Sequence, residues 1–230
     1  MTLPEFDEFA DEYRMLHAAS IRASGESPEY FARYKVQDVA AICAASGLAI
    51  RRVLDFGAGI GGSVPFWREY CPTAALECLD VSERSLARGR ERHGSAATFR
   101  HFDGVQLPFP DGMFQVAFAA CVFHHIAAEQ HIPLLTELRR VLAPEGQLFL
   151  FEHNPYNPLT IRAVNSCPFD EHAVLIPAHV MSKRLRLAGF HHVRTAYRIF
   201  FPAAFAPLRA LDRFLTRVPV GAQYRLVAQP

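Results

Sequence analysis

One segment constrains the fold of this chain more than any other: Val53-Leu54-Asp55-Phe56-Gly57-Ala58-Gly59-Ile60-Gly61-Gly62. A short apolar run ends in a turn crowded with glycine, and a helix-like stretch, roughly Gly62–Tyr70, follows. Glycine reaches backbone angles closed to other residues and lets the main chain approach a ligand closely. N–H groups at the opening of the helix are then expected to point at that ligand. A strand, a glycine turn and a helix in this order open an α/β sheet, whose ligands sit at the carboxyl ends of its strands.

The downstream sequence repeats the alternation. Arg51–Phe56, Ala75–Val81, Thr98–Phe102, Phe114–Phe123 and Gly146–Glu152 are short apolar runs, separated by helix-like segments at Gly62–Tyr70, Ser82–Arg92 and Glu129–Leu142. This pattern predicts a parallel sheet with helices on both faces. A loop rich in Pro, Asn and Cys, Asn154–Pro177, comes next, then a helix (Ala178–Ala188), a strand (His191–Phe200), a helix (Phe205–Arg217) and a last strand (Gln223–Ala228). Residues 1–50 read as helical: Phe6, Phe9, Tyr13 and Leu16 share one face, a break falls at Ser24–Pro28, and a second helix runs from about Glu29 to Ser46 and stops at Gly47. The chain is read as a single domain, with 1–50 a cap or lid, 51–153 the ligand-binding core and 154–230 a substrate-side loop and final strands.

Composition narrows the function classes. With 50% hydrophobic and 20% charged residues and a formal net charge of +1, the 230 residues describe a globular chain without the charge footprint of a nucleic-acid or membrane binder. The acidic start Met1-Thr2-Leu3-Pro4-Glu5-Phe6-Asp7-Glu8 is no signal peptide, and no stretch is apolar enough to span a bilayer. Five cysteines, scattered and without a C-x-x-C pair, argue for reduced thiols in a cytoplasm and against a disulfide frame or zinc site.

Three acids fall at three successive strand ends: Asp55 before the glycine turn, Asp80 after Leu76-Glu77-Cys78-Leu79, and Asp103 in His101-Phe102-Asp103-Gly104. Asp80 lies at the distance beyond the glycines that suits an acid binding ribose hydroxyls. Gly57, Gly59 and Gly62 also satisfy G-x-G-x-x-G, so a dinucleotide enzyme is an alternative. A carboxylate at Asp55 would repel a pyrophosphate and attract an amino group. Each acid alone is as readily a helix cap or turn residue.

Together these segments resemble the class I S-adenosylmethionine-dependent methyltransferases of the bacterial small-molecule, UbiE-like type. The D-x-G-x-G-x-G motif is Asp55 to Gly61, the approach to strand four is Leu107-Pro108-Phe109-Pro110-Asp111-Gly112-Met113-Phe114, and the junction to strand five is Arg140-Val141-Leu142-Ala143-Pro144-Glu145-Gly146. Gln115 stands where the family often has Asp. The resemblance implies a Rossmann-like, seven-stranded, mostly parallel sheet with an antiparallel last strand and an N-terminal helical cap. It implies S-adenosylmethionine as cofactor, S-adenosylhomocysteine as product and no metal. The cofactor residues would be Asp55, Gly57, Ala58, Gly59, Gly61, Asp80, Val81, Asp103, Gly104, Cys121 and Tyr13. The expected acceptor is an oxygen or nitrogen of a small molecule; the competing readings are an NAD(P)-dependent oxidoreductase and a catalytically silent cofactor-binding protein.

Histidine titrates near neutrality and suits a general base. His125, then His124, in the segment after strand four are the first candidates, and His153 in Glu152-His153 is the next. Asp170-Glu171-His172 in the long loop is read as solvated, with a lid that reaches down as the alternative. Asn154-Pro155-Tyr156 is read as a turn, Trp67 as a core aromatic, and Phe205–Arg217 as an amphipathic helix packing on the sheet, with Arg209, Arg213 and Arg217 along one side.

Overall fold

The computed structural model describes residues 13–230. The sheet has seven strands in the order β3-β2-β1-β4-β5-β7-β6: β1 (Arg52–Phe56), β2 (Ala75–Asp80), β3 (Thr98–His101), β4 (Phe114–Ala120), β5 (Leu142–His153), β6 (His191–Arg198) and β7 (Gln223–Gln229). All neighbouring pairs are parallel except those made by β7, which runs antiparallel to both β5 and β6. The helices are α1 (Tyr13–Ser20), α2 (Pro28–Ser46), α3 (Val64–Tyr70), α4 (Glu83–His93), α5 (His131–Val141), α6 (Pro158–Asn165), α7 (Ala178–Leu187) and α8 (Asp212–Leu215).

The central strands are buried on both faces, and their two-residue period sends alternate side chains to two separate cores. Leu54, Ala117, Ala119, Leu148 and Leu150 pack on one side with α5 and α7; Val53, Val116, Phe118, Phe149 and Phe151 pack on the other with α2, α3 and Trp67. Helix α2 begins as its sequence dictates. Ser27 caps it by accepting from the Tyr30 N–H, Pro28 occupies the first turn, and Gly47 at φ +71° ends it, with Leu48 N–H closing onto the Cys43 carbonyl at 2.9 Å. Asp38 of this helix accepts from Arg198 of β6 and Arg225 of β7, both at 2.6 Å, which ties the cap to the antiparallel edge.

Three expectations are corrected. Strand four stops at Ala120, because Cys121 takes the left-handed angle φ +60° and turns the chain. The loop 154–177 contains α6, capped by the Asn157 side chain, and a short turn of 3-10 helix at Pro168–Asp170. Phe205–Arg217 is not one packed helix: Pro207 lies within 3-10 turns at Ala203–Leu211, the backbone breaks at Phe205, and only Asp212–Leu215 is α-helical. Its apolar side chains face outward, with Phe205 56% and Phe214 68% exposed, while Arg209 folds back over the Tyr30 ring and pairs with Glu26 of the cap. Phe6 and Phe9, and the Tyr13 side chain, lie outside what the structure describes.

Candidate active site

The glycine turn after β1 is closed from within. The Gly57 and Ala58 N–H groups both donate to the Leu79 carbonyl, Gly61 N–H donates to Ala58, and Gly59 N–H donates to Asp80 Oδ2 at 2.7 Å. These amides are thus spent inside the protein rather than aimed at a ligand, as the sequence pattern had suggested. What the turn offers is a bare main-chain surface. At Gly57, φ is +72°, and a Cβ would lie 2.5 Å from Val122 of the loop after β4, so the two loops can meet only at glycine.

Asp80 is not a helix cap; Ser82 is, accepting from the Ser85 N–H at 3.0 Å. Asp80 Oδ1 accepts from Ser82 N–H at 2.9 Å, so backbone donors hold both carboxylate oxygens at the end of β2. Asp103 is a turn residue, its Oδ1 accepting from the Val105 and Gln106 N–H groups, and these bonds hold its pKa below the usual value. Gly104 and Val81 lie beside each other at this end of β2 and β3, where a Gly104 Cβ would stand 3.6 Å from Val81.

Asp55 differs from the other two. It is 3% exposed, its hydrogen-bond donor is the Ser63 hydroxyl, and no cation lies within ion-pair distance among the described residues. Burial pushes its pKa up to about 7, against the pull of the Ser63 bond. A buried carboxylate short of a counter-charge is a fitting partner for an ammonium group.

The ends of β4 and β5 carry a second cluster. Glu152 Oε1 accepts from the Val122 and Phe123 N–H groups, and its Oε2 meets His124 Nδ1 at 2.5 Å. The other ring nitrogen of His124 lies 3.7 Å from Asp170 Oδ1, and His125 Nε2 lies 3.2 Å from the same oxygen. Asp170 therefore reaches down out of the loop, and Glu171 and His172 stay exposed. The loop is held there by Val174 N–H, which donates to the His124 carbonyl at 2.8 Å. Burial disfavours charge on His124, but Glu152 and the bond to Asp170 outweigh it and raise the pKa well above the ordinary value. His125 goes the other way: burial lowers it in spite of Asp170.

Cys121 faces Lys35 of α2, whose Nζ lies 3.3 Å from its sulfur. Burial pushes the thiol up, but the charges of His153 and Lys35 prevail and bring it to about 6. Gln223 of β7 approaches the same sulfur at 3.7 Å and accepts from the Tyr34 hydroxyl. His153 is partly exposed; its ring centroid is 5.1 Å from that of His124. The three histidines named from sequence thus meet in one place, whereas Ser63, Lys35, Tyr34 and Gln223 carried no motif to mark them. From sequence Asp170 reads as solvated, and the alternative reading, that the loop reaches down, is the one its burial against His124 and His125 matches.

Fold and site define an α/β domain with three acids at the carboxyl ends of β1, β2 and β3. Residues 53–146 match the methyltransferase domain family, and in fold the chain is similar to S-adenosylmethionine-dependent methyltransferases of known structure. It is 36% identical over 110 residues to a demethylmenaquinone methyltransferase of Thermus thermophilus, covering 46% of this chain and 49% of that one. A malonyl-[acyl-carrier protein] O-methyltransferase of Geobacter sulfurreducens is 28% identical over 142 residues, 60% of this chain and 52% of that one. The chain spans about half the length of the curated relatives it matches. Among solved structures, a SAM-dependent methyltransferase from Thermotoga maritima superposes with a TM-score of 0.66 at 16% identity, over 98% of this chain and 97% of that one. One from Archaeoglobus fulgidus gives 0.61 at 14%, over 85% and 94%.

Proposed function

We propose that this chain transfers the methyl group of S-adenosylmethionine to an oxygen or nitrogen of a small-molecule acceptor. The observation that carries this reading is Asp55, a buried carboxylate with a raised pKa and no cation within ion-pair distance among the described residues. An ammonium, such as the methionine moiety carries, relieves that state, and a pyrophosphate aggravates it. The internally bonded glycine turn argues the same way, since it leaves few N–H groups for a phosphate. Asp80 would take the ribose hydroxyls and Asp103 the adenine amino group, with Gly57, Ala58, Gly59 and Gly61 against the cofactor and Val81 and Gly104 at the adenine end.

The bound cofactor supplies an electrophilic methyl carbon on a sulfonium. The chain's own part is to align the acceptor, keep water out and remove a proton. His124 is unsuited to that last task, since its two ring nitrogens face Glu152 and Asp170. His125 is turned onto Asp170. Among the described residues His153 has no carboxylate within ion-pair distance, and it is partly exposed beside Cys121, so it is the base in this proposal. The same base would serve a carbon acceptor, the chemistry named for a C-methyltransferase of Ectopseudomonas mendocina that is 31% identical over 125 residues. The free thiols suit the cytoplasm, and no helix among the described residues is long and apolar enough to cross a membrane.

Calorimetry with S-adenosylhomocysteine and with NAD tests the cofactor: binding of the first and not the second is expected, and the reverse would sink the reading. Once an acceptor is in hand, His153→Gln should lower kcat about 10²–10⁴-fold with cofactor affinity kept. An unchanged rate and pH profile would remove His153 from the mechanism.

A further inference from the structure

His124, His125 and Asp170 bring three metal-ligating atoms within 4.8 Å of one another. We propose that they bind a divalent transition-metal ion through His124 Nε2, His125 Nε2 and an Asp170 carboxylate oxygen. The sequence reading expected no metal, because methyl transfer from a sulfonium requires none and no acidic metal cluster stands out in the sequence.

The spacing is that of a ligand set slightly open. Ligands about 2.0–2.2 Å from a tetrahedral ion stand about 3.3–3.6 Å from one another. Asp170 Oδ1 is 3.2 Å from His125 Nε2 and 3.7 Å from His124 Nε2. Glu152 provides an independent observation. It engages His124 Nδ1 at 2.5 Å, which fixes the ring and leaves Nε2 facing Asp170 and His125. A carboxylate behind a histidine, on the side away from the ion, is the usual support of a histidine ligand. Glu152 is itself anchored by two backbone N–H groups, and Asp170 by the turn that its own N–H closes on the Cys167 carbonyl at 3.0 Å.

Charge makes the same case. Glu152 and Asp170 put two carboxylates against two imidazoles in a pocket where His124 and Glu152 are each 1% exposed. Two neutral imidazoles and one dication balance that pair of negative charges. Imidazole ligands favour zinc, iron, cobalt or nickel over magnesium or calcium. Three protein ligands leave a position open for water or an acceptor oxygen, and the His153 ring lies next to His124. An oxygen bound to such an ion gives up its proton more readily.

The experiment uses tag-free, chelator-stripped full-length protein titrated with Co²⁺, following ligand-field absorption and bound metal by equilibrium dialysis. One ion per chain is expected, with strong visible bands. Asp170→Asn and His125→Ala should lose the bands, Glu152→Gln should weaken binding about 10–100-fold, and His153→Gln should bind as the unaltered chain does. The site is overturned if the unaltered protein holds no cobalt, if the bands survive in D170N and H125A, or if H153Q removes them instead. S-adenosylhomocysteine binding and circular dichroism on each preparation report folding and the cofactor site separately. A protein that binds the homocysteine product but no cobalt refutes the metal and leaves the methyl-transfer reading standing; should a variant unfold, the unaltered chain alone decides.

Discussion

The two ends of the candidate site are built differently. Around β1, β2 and β3, most of the acids' partners are close by in sequence: Asp103 has residues 105 and 106, Asp55 has Ser63, and Asp80 has Ser82, with Gly59 of the adjoining turn its one distant donor among those described. Around β4 and β5 the partners come from afar: His124 with Glu152, Asp170 with both histidines, Lys35 with Cys121, Tyr34 with Gln223. A locally supported carboxylate can hold its shape without the rest of the sheet. A network assembled across the fold is bound up with the stability of the fold. Mutating the first end should therefore change binding, and mutating the second should change folding.

Asp80→Ala tests the first half of that contrast and should have the largest effect. Two charge-assisted hydrogen bonds to a ribose are worth roughly 1.5–3 kcal/mol each, so cofactor affinity should fall by orders of magnitude while denaturant unfolding changes little. An unchanged dissociation constant in the folded variant would remove Asp80 from the cofactor site. Glu152→Ala tests the second half. It leaves a buried imidazolium without its nearer carboxylate, a loss of about 3–5 kcal/mol, which urea unfolding would reveal. If affinity for S-adenosylhomocysteine in the folded fraction falls as steeply as stability, the contrast between the two ends is wrong.

The same contrast explains what the sequence could disclose. The succession of strands along the chain, the glycine turn and the three acids were legible because each depends on neighbours a few residues away or on a two-residue period. The bases were legible as candidates but not as roles. Nothing near His124 and His125 in the chain says that one will be clamped between two carboxylates and the other only brushed by Asp170. The helix expected at Phe205–Arg217 rested on leucine spacing, and Pro207 overrides it. Lys35 sits in an ordinary amphipathic helix, and only the packing of α2 on the sheet brings its ammonium to Cys121.

A smaller effect follows from Asp55. Its raised pKa means the folded chain holds a proton there, between about pH 4 and 7, that the unfolded chain has released. Its share of stability therefore falls as pH rises through that window. Binding an ammonium requires the ionised form, so affinity should rise up to about tenfold per pH unit toward pH 7 and then level off. Calorimetry in buffers of different ionisation enthalpy should show proton release below pH 7, and its absence would disconnect Asp55 from the ligand.

The smallest change concerns the cap. Asp38 ties α2 to β6 and β7, so ligand-dependent hydrogen exchange should appear in residues 13–25 and not in 28–46. Asp38→Asn, at a cost of about 1 kcal/mol, should spread the change into α2. Equal protection of both segments in the unaltered chain would mean that the cap does not act as a lid over the site.

The placement of β7 has a consequence for the order of assembly. This strand follows all the others in chain order, yet it lies between β5 and β6, pairing with the outer side of β5 and the inner side of β6. Until it arrives, β6 has no partner in the sheet, and Leu148–His153 of β5 present an open edge of buried, apolar sequence to any strand nearby. Such edges are where partly made chains join one another. On a ribosome the chain must hold that edge bare through the synthesis of α6, α7, β6 and the broken segment that follows. A released chain truncated after residue 221 should thus be recovered in aggregates, while one that runs through residue 229 is free to close the sheet.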